Sequence, residues 1–202
     1  MSESRYTPAY DNKIYQKFSK KTIQNKIKNK IALCQDLGIP YDKKVPLFCI
    51  TYPLTDKNNL AILQEIMAGI LEQPIQLAMT GIGTEKYQKY FTELGTKYPH
   101  KIIILPDNDE NKRKIYAAGD GILVLSDTME CLRECKQAIQ YGAVPITPPN
   151  DLVQDYNPNM ESGNAFIYSK GNSWSLFATL IRALENYRFP FDWKNIQVEG
   201  ME

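Results

Sequence analysis

Residues 101–147, KIIILPDNDENKRKIYAAGDGILVLSDTMECLRECKQAIQYGAVPIT, carry the clearest signal of the fold. Three short apolar runs alternate there with two segments of helical period. The runs lie at 101–105, 121–125 and 143–147, and the helical segments lie at 110–118 and 130–141. Because the connections between them are short, this stretch predicts parallel strands buried between layers of helices.

The same alternation extends in both directions along the chain. Further apolar runs predict strands at 46–51, 75–79 and 164–168, and further helices are predicted at 22–37, 58–72, 84–97, 173–187 and 190–198. The sequence therefore predicts an α/β fold, a Rossmann-like parallel sheet of about six strands flanked by helices, with right-handed crossovers. Such sheets bind ligands outside the carboxyl ends of their strands, so the functional loops are expected at that edge.

Composition narrows the function classes. The chain has 202 residues and a net charge of +1, which gives no overall attraction to nucleic acid or to an anionic membrane. It has no run of about 18 apolar residues and no secretion signal pattern at its start, so a cytoplasmic protein is expected. The single His excludes sites built from several histidines, and the four cysteines are expected to be buried free thiols. Cys131 and Cys135 could clip a metal, but no second pair completes such a site, so no metal is expected.

Basic residues dominate the first thirty positions. Eight cations face only Glu3 and Asp11, and they are Arg5, Lys13, Lys17, Lys20, Lys21, Lys26, Lys28 and Lys30. A basic arm that binds phosphate is one interpretation, and a solvated leader with a solvated helix face is the favoured one. Because aromatic residues are interspersed, the leader is expected to pack on the domain. The predicted organisation is a leader at 1–21 and a Rossmann-like domain at 22–202.

Three packing predictions follow from residue type and spacing. In the first helix Ile23, Ile27, Ile31 and Cys34 are spaced so that they form one apolar helix face. His100 follows a proline and is expected in a surface turn. Both tryptophans, Trp174 and Trp193, are expected to pack within the domain rather than to form sugar platforms.

Two loops at the expected binding edge precede helices. In Thr80-Gly81-Ile82-Gly83-Thr84 the glycines either let a ligand approach the backbone or form a tight turn with Thr84 capping the helix. In residues 126–134 the helix amides could hold a diphosphate. Asp127, Glu130 and Glu134 place negative charge there, and helix capping by these acidic side chains is the favoured interpretation.

The loop after the first predicted strand offers a cation and two possible caps. Thr55 or Asp56 could cap the helix that follows, and Lys57 could reach an anion. A single lysine in a loop is usually solvated, so this signal is weak without further context.

Taken in order, several segments resemble the C-terminal Rossmann-like domain of bacterial glycogen and starch synthases, which are retaining glycosyltransferases of the two-domain GT-B architecture. Ile115-Tyr116-Ala117-Ala118-Gly119-Asp120 is similar to the family's I-Y-A-G-A-D segment. The other similar segments are Asn29-Lys30, Ala32-Leu33, Leu37-Gly38, Pro46-Leu47-Phe48, Leu54-Thr55, Gly81 with Gly83, Tyr98-Pro99, Tyr141-Gly142 with Pro145, and Arg182-Ala183-Leu184 with Tyr187 and Trp193. The resemblance runs over nearly the whole chain.

The resemblance implies one half of a glucosyltransferase. In the family this domain binds ADP-glucose or UDP-glucose, while an N-terminal domain binds the α-glucan acceptor and supplies further catalytic groups. The reaction adds an α-1,4-linked glucose with retention of configuration. An Arg and a Lys neutralise the departing diphosphate together with helix amides. The implied partner is therefore an N-terminal GT-B domain, and no cofactor other than the donor substrate is expected.

The sequence departs from the family pattern in the loops that hold the diphosphate. The family's Arg and Lys in the first loop fall on Pro53 and Asn58. In the later loop its Arg falls on Asp127, its Glu on Met129 and its Gly on Leu132. Two unit charges about 4 Å apart interact by about 4 kcal/mol at an effective dielectric near 20, so Asp127 in place of Arg is a large change of the wrong sign.

The candidate site combines the residues nearest to these positions. Glu130 and Lys57 are the candidate catalytic residues, and the donor loops are assigned to Gly81, Gly83, Cys131, Leu132 and Arg133. Two functions from different classes remain open. One is a donor-binding glycosyltransferase domain, inactive when isolated, and the other is a non-catalytic relative that serves as a scaffold or binds a partner.

Overall fold

The computed structural model describes residues 7–201. After a 3-10 helix at Lys20–Asn25, seven α-helices and six strands alternate in this part of the chain. The strands are β1 (Leu47–Ile50), β2 (Gln76–Thr80), β3 (Ile102–Leu105), β4 (Gly121–Leu123), β5 (Val144–Thr147) and β6 (Phe166–Ile167). The helices are α1 (Lys26–Asp36), α2 (Leu60–Glu72), α3 (Glu85–Lys97), α4 (Asp109–Ala118), α5 (Met129–Gln140), α6 (Ser173–Tyr187) and α7 (Pro190–Gly200).

All strands pair in parallel in one sheet of order β3-β2-β1-β4-β5-β6. The central strand β1 is buried along its length, and Phe48 lies opposite Leu77 of β2 and Gly121 of β4. This burial on both faces is what continuous apolar strands require. The predicted Rossmann-like sheet is confirmed, and the strand order reverses between β1 and β4.

The predicted sixth strand is shorter than expected. Only Phe166 and Ile167 pair with β5, whereas the sequence predicts a strand over 164–168. Ala165 pairs instead with the preceding loop, where its carbonyl accepts from the N–H of Tyr156 at 2.8 Å. The loop thus takes the hydrogen-bonding groups that would have lengthened β6.

The apolar face predicted for the first helix is buried at Ile23 and Cys34 but not at Ile27. Ile27 is 46% exposed, whereas Lys26, Asn29 and Lys30 are buried. The Lys26 ammonium donates to the carbonyls of Tyr116, Ala117 and Tyr141 at 2.7, 3.1 and 2.7 Å. Burial lowers the pKa of Lys26 to about 7. Apolar periodicity does not predict the burial of Lys26, because the carbonyl acceptors that make this burial possible come from distant parts of the chain.

Lys30 is buried in the same way as Lys26. Its ammonium lies 2.6 Å from the Asp120 carboxylate and donates to the carbonyl of Val45 at 2.6 Å. Asp120 also accepts from the N–H of Leu47 at 2.8 Å. The prediction of a solvated helix face is therefore wrong for these two lysines, which join α1 to the start of β1 and the end of α4.

Residues 7–19 lie against α1, α4 and α5. Ile14 and Phe18 are buried, and the buried carboxylate of Asp11 accepts from the Tyr141 hydroxyl and pairs with Arg113 at 3.3 Å. The N–H of Gln16 donates to the Asn29 side chain at 2.9 Å. The boundary between a leader at 1–21 and a domain at 22–202 stays a prediction, and Glu3 and Arg5 lie outside the described residues.

The cysteines and tryptophans fall in different environments. All four cysteines are buried free thiols, and burial raises the pKa of Cys49 and of Cys135 to about 12. Trp193 is buried and stacks on Phe166 with a centroid distance of 6.0 Å. Trp174 is 70% exposed at the start of α6, so its predicted packing is wrong. A helix position alone does not fix the face on which a side chain lies.

Candidate functional site

The candidate site lies at the carboxyl edge of the sheet where the strand order reverses. The loops at 51–59 and 124–128 follow the adjacent strands β1 and β4. Tyr52, in the first of these loops, connects it to the end of β4 and to the second loop through its hydroxyl group. Its buried hydroxyl donates to the carbonyl of Leu123 at 2.9 Å and accepts from the N–H of Leu125 at 3.2 Å. The two loops are thereby held in one fixed arrangement.

Asn58 fills the space between the two loops. It is completely buried, and its amide nitrogen donates to the carbonyl of Pro53 at 2.8 Å and to the Glu130 carboxylate at 3.3 Å. Its amide oxygen accepts from the Thr128 hydroxyl at 2.8 Å. Asn58 is thus a neutral link between the loop after β1 and the first turn of α5.

The first turn of α5 is capped by Thr128, not by an acidic side chain. The Thr128 hydroxyl oxygen accepts from the N–H of Cys131 at 3.4 Å. Asp127 pairs instead with Lys170 at 2.6 Å, and Glu134 is buried, where it accepts from the Tyr116 hydroxyl. The prediction of acidic capping is therefore wrong, because these carboxylates have partners from distant parts of the chain.

Lys57 and Glu130, the two candidate catalytic residues, lie together. Their ammonium and carboxylate are 3.4 Å apart at side-chain exposures of 68% and 39%. The hydrogen bond from Asn58 and the charge of Lys57 hold the pKa of Glu130 below its usual range. Glu130 is therefore an anion at neutral pH, beside a cation that remains open to solvent.

Lys170 is a basic residue at this edge that sequence patterns do not reveal. It follows β6 in the chain, and its ammonium lies 2.6 Å from the Asp127 carboxylate. The hydrogen bond from Lys170 lowers the pKa of Asp127, and the charge of Lys170 adds to this effect. The negative charge that the sequence introduces at Asp127 thus has a counter-charge from a loop 43 residues away.

The remaining residues assigned to α5 differ in exposure. The Cys131 side chain is buried and its thiol pKa is raised to about 11, while its backbone N–H already donates to Thr128. Arg133 is exposed on the helix surface, 3.5 Å from Glu134. Leu132 is half-buried, and Met129 is 83% exposed. The structure thus brings an exposed Arg133 near the first turn and leaves Leu132 without a polar role.

The glycine loop after β2 contacts the loop after β1. The carbonyl of Leu54 accepts from the N–H of Thr84 at 3.0 Å, and a Cβ at Gly83 would lie 2.3 Å from that carbonyl oxygen. This close backbone approach requires glycine at position 83. Thr84 stands at the helix start but makes no capping hydrogen bond with its side chain. Thr55 accepts from the N–H of Asn58 at 3.2 Å, while Asn59 occupies the cap position of α2.

A depression lies beside Gly81, between the loops that follow β2 and β3. Its volume is about 480 Å³, and its lining includes Ile82, Gln88, Pro106 and Asp107. It is open at the same edge as the first turn of α5. This depression could accept a flat ring, while the Lys57 and α5 region could accept an anionic group.

Neither a group of metal ligands nor a membrane-spanning helix is found among the described residues. Across residues 7–201 no group of three or more His, Cys, Asp or Glu side chains could hold a metal ion. None of the helices in that range is both long and apolar enough to cross a membrane. His100 is exposed in a turn, far in sequence from the loops of the candidate site.

Curated relatives match nearly the whole chain. A glycogen synthase from Fervidobacterium nodosum is 34% identical over 201 residues, which cover 97% of this chain and 41% of that protein. A glycogen synthase from Streptococcus agalactiae is 33% identical over 190 residues, which cover 91% of this chain and 40% of that protein. The chain thus spans about two fifths of the length of these relatives.

Solved structures share the fold at lower identity. The catalytic domain of starch synthase IV from Arabidopsis thaliana, bound to ADP and acarbose, superposes with a TM-score of 0.86 at 23% identity, over 98% of this chain and 43% of that chain. Anabaena HepE, in complex with UDP and glucose, superposes with a TM-score of 0.62 at 17% identity, over 93% of this chain and 50% of that chain.

No family model matches the chain. The ordered motifs and the glycogen synthase relatives nevertheless agree on one family, and the sheet topology agrees with the GT-B neighbours. The chain belongs to the glycogen/starch synthase family of GT-B glycosyltransferases, as a C-terminal domain.

Proposed function

We propose that this domain binds a nucleoside diphosphate glucose, ADP-glucose or UDP-glucose, for glucosyl transfer to an α-1,4-glucan. The observation that carries the proposal is the meeting of Lys57, Lys170 and the first turn of α5 at the reversal of strand order. Two flexible cations and a helix N-terminus are the groups that a diphosphate requires. The depression beside Gly81 lies at the same edge and offers a place for the nucleobase.

Lys57 and Lys170 take the part of the missing family cations in this proposal. Each now pairs with a carboxylate, Glu130 at 3.4 Å and Asp127 at 2.6 Å. Exposed ion pairs of this kind contribute about 1 kcal/mol or less, so a diphosphate can exchange for the carboxylates at small cost. We expect the retained acidic groups to weaken donor binding relative to a site with unopposed cations.

Glucose transfer requires more than this domain. Glu130 would contact the donor sugar, and the lysines would stabilise the diphosphate as it leaves. The acceptor glucan and further catalytic groups would come from an N-terminal GT-B domain, which the relatives' greater length supports. We therefore expect donor binding by the isolated domain without transfer.

Thermal unfolding with ADP-glucose, UDP-glucose, ADP and UDP tests the proposal. A ligand at 100 times its Kd raises the free energy of unfolding by about 2.7 kcal/mol, which is readily measured as a higher Tm. Lys57→Ala and Lys170→Ala should each reduce the shift, and Lys89→Ala, an exposed lysine on α3, should leave it unchanged. Absence of a shift with all four compounds at millimolar concentration would contradict donor binding.

A second candidate is a non-catalytic scaffold or partner-binding domain. The buried Asn58 favours it, because this residue closes the space between the two loops with neutral hydrogen bonds where the family has a lysine. This function predicts that the four nucleotides leave the Tm unchanged. The outcome of the titration therefore separates the two candidates directly.

A further inference from the structure

Two adjoining cavities open at the amino edge of the sheet, opposite the candidate donor site. Their volumes are about 360 and 720 Å³, and both are lined by Lys43, Tyr187 and Pro190. We name them together the amino-edge cavity. None of the candidate donor-site residues lines it, so its occupancy is independent of the proposed donor binding.

Aromatic rings form one wall of the amino-edge cavity. The Lys30 ammonium lies over the rings of Tyr41 and Tyr187, 6.0 and 5.6 Å from their centroids. Trp193 also lines the cavity and is 4% exposed. Its indole N–H has no hydrogen-bond partner within residues 7–201, and an unpaired buried donor is costly. The wall thus offers apolar ring surface, while the indole N–H of Trp193 is buried behind it.

Cations without carboxylate partners form the rim of the amino-edge cavity. Lys43, Lys44, Arg188 and Lys194 line it, are exposed, and form no ion pair with the described residues 7–201. Two acidic residues also line the cavity. Asp120 is paired with Lys30 at 2.6 Å, and Asp42 accepts from the N–H of Lys44 at 2.8 Å. Four unpaired cations against these two carboxylates leave the rim positively charged.

We propose that the amino-edge cavity binds a small phosphate monoester. The rim cations would contact the phosphate, and the aromatic wall would cover a sugar or nucleoside body. The cavity is of the size that small ligands occupy, and phosphate is the small anion best matched by several mobile lysines and an arginine.

The two tryptophans provide a direct readout. In a ¹H–¹⁵N spectrum of the 202-residue chain each indole N–H gives one signal, and Trp174→Phe assigns them. Inorganic phosphate, glucose 6-phosphate and AMP in the millimolar range should shift the Trp193 signal and leave the Trp174 signal unchanged. Glucose and adenosine should shift neither tryptophan signal. Whichever of glucose 6-phosphate and AMP binds more tightly shows whether the aromatic wall prefers a sugar or a nucleoside.

Charge reversal at the rim tests the assignment further. The double variant Lys43→Glu/Lys194→Glu should bind the monoester at least about tenfold more weakly. The double variant Lys17→Glu/Lys89→Glu changes the net charge equally at two other exposed positions and should keep wild-type affinity. Because all four side chains are exposed, we expect both variants to fold, and their Tm values check this.

Three outcomes would overturn the proposal. The first is an unchanged Trp193 signal with all three phosphate compounds. The second is equal binding of neutral glucose or adenosine, which would make the phosphate irrelevant. The third is equal loss of affinity in both double variants, since that would reflect net charge and not a site.

Discussion

The two edges of the sheet use their cations differently. At the carboxyl edge the exposed Lys57 and Lys170 each pair with a carboxylate, whereas at the amino edge Lys43 and Lys194 form no ion pair with the described residues. A net charge of +1 conceals this division. Whether a charged side chain is free to bind a ligand therefore depends on the groups around it and cannot be judged from its residue type.

Helix direction explains the signs at the two edges. The carboxyl edge collects helix N-termini, where Asp127 and Glu130 are favourable, and the amino edge collects helix C-termini, where cations are favourable. Lys26 shows this most clearly, because it binds carbonyls at the ends of both α4 and α5. Helix ends thus favour carboxylates at one edge and cations at the other, while long-range ion pairs decide how much of that charge remains available.

The largest effect is expected from removal of the buried cation at the amino edge. Lys26→Met keeps similar volume but leaves the carbonyls of Tyr116, Ala117 and Tyr141 without their donor. The free energy of unfolding should fall by about 3 kcal/mol, as measured by urea denaturation. Lys28→Met, at an exposed position of the same helix, is the control. Equal stability of the two variants would show that the Lys26 contacts contribute nothing.

An intermediate effect is expected at the carboxyl edge. Asn58→Ala removes the hydrogen bonds to Pro53, Thr128 and Glu130 and should lower the free energy of unfolding by about 2 kcal/mol. A double-mutant cycle with Thr128→Ala isolates the contact between the two loops. Additive losses in that cycle would mean that Asn58 does not couple them.

The smallest effect on stability is expected from the exposed ion pair. Lys170→Ala removes the partner of Asp127, yet the Lys170 side chain is 61% exposed. The free energy of unfolding should change by no more than about 0.5 kcal/mol in urea denaturation. If Lys170→Ala lowered the free energy of unfolding as much as Lys26→Met, buried and exposed cations would not differ in their contribution to stability.

Local pattern was sufficient for the strands and helices of the sheet and for the edge at which the candidate loops lie. The apolar runs at 101–105 and 121–125 predict β3 and β4 because a buried strand must be apolar on both faces. Parallel strands in turn place the loops after β1 and β4 at one edge. Where the pattern failed, as at Ile27 and Lys26, buried polar groups had found distant partners.

Sequence alone was enough to establish the α/β class and the family, because these depend on residue type and order. It also predicts that family cations are replaced at Pro53, Asn58 and Asp127. The pairing of Asp127 with Lys170 and the clustering of unpaired cations around Trp193 emerged from the folded chain. Contacts between loops far apart in sequence follow no local period, so they are specified by how strands and helices pack.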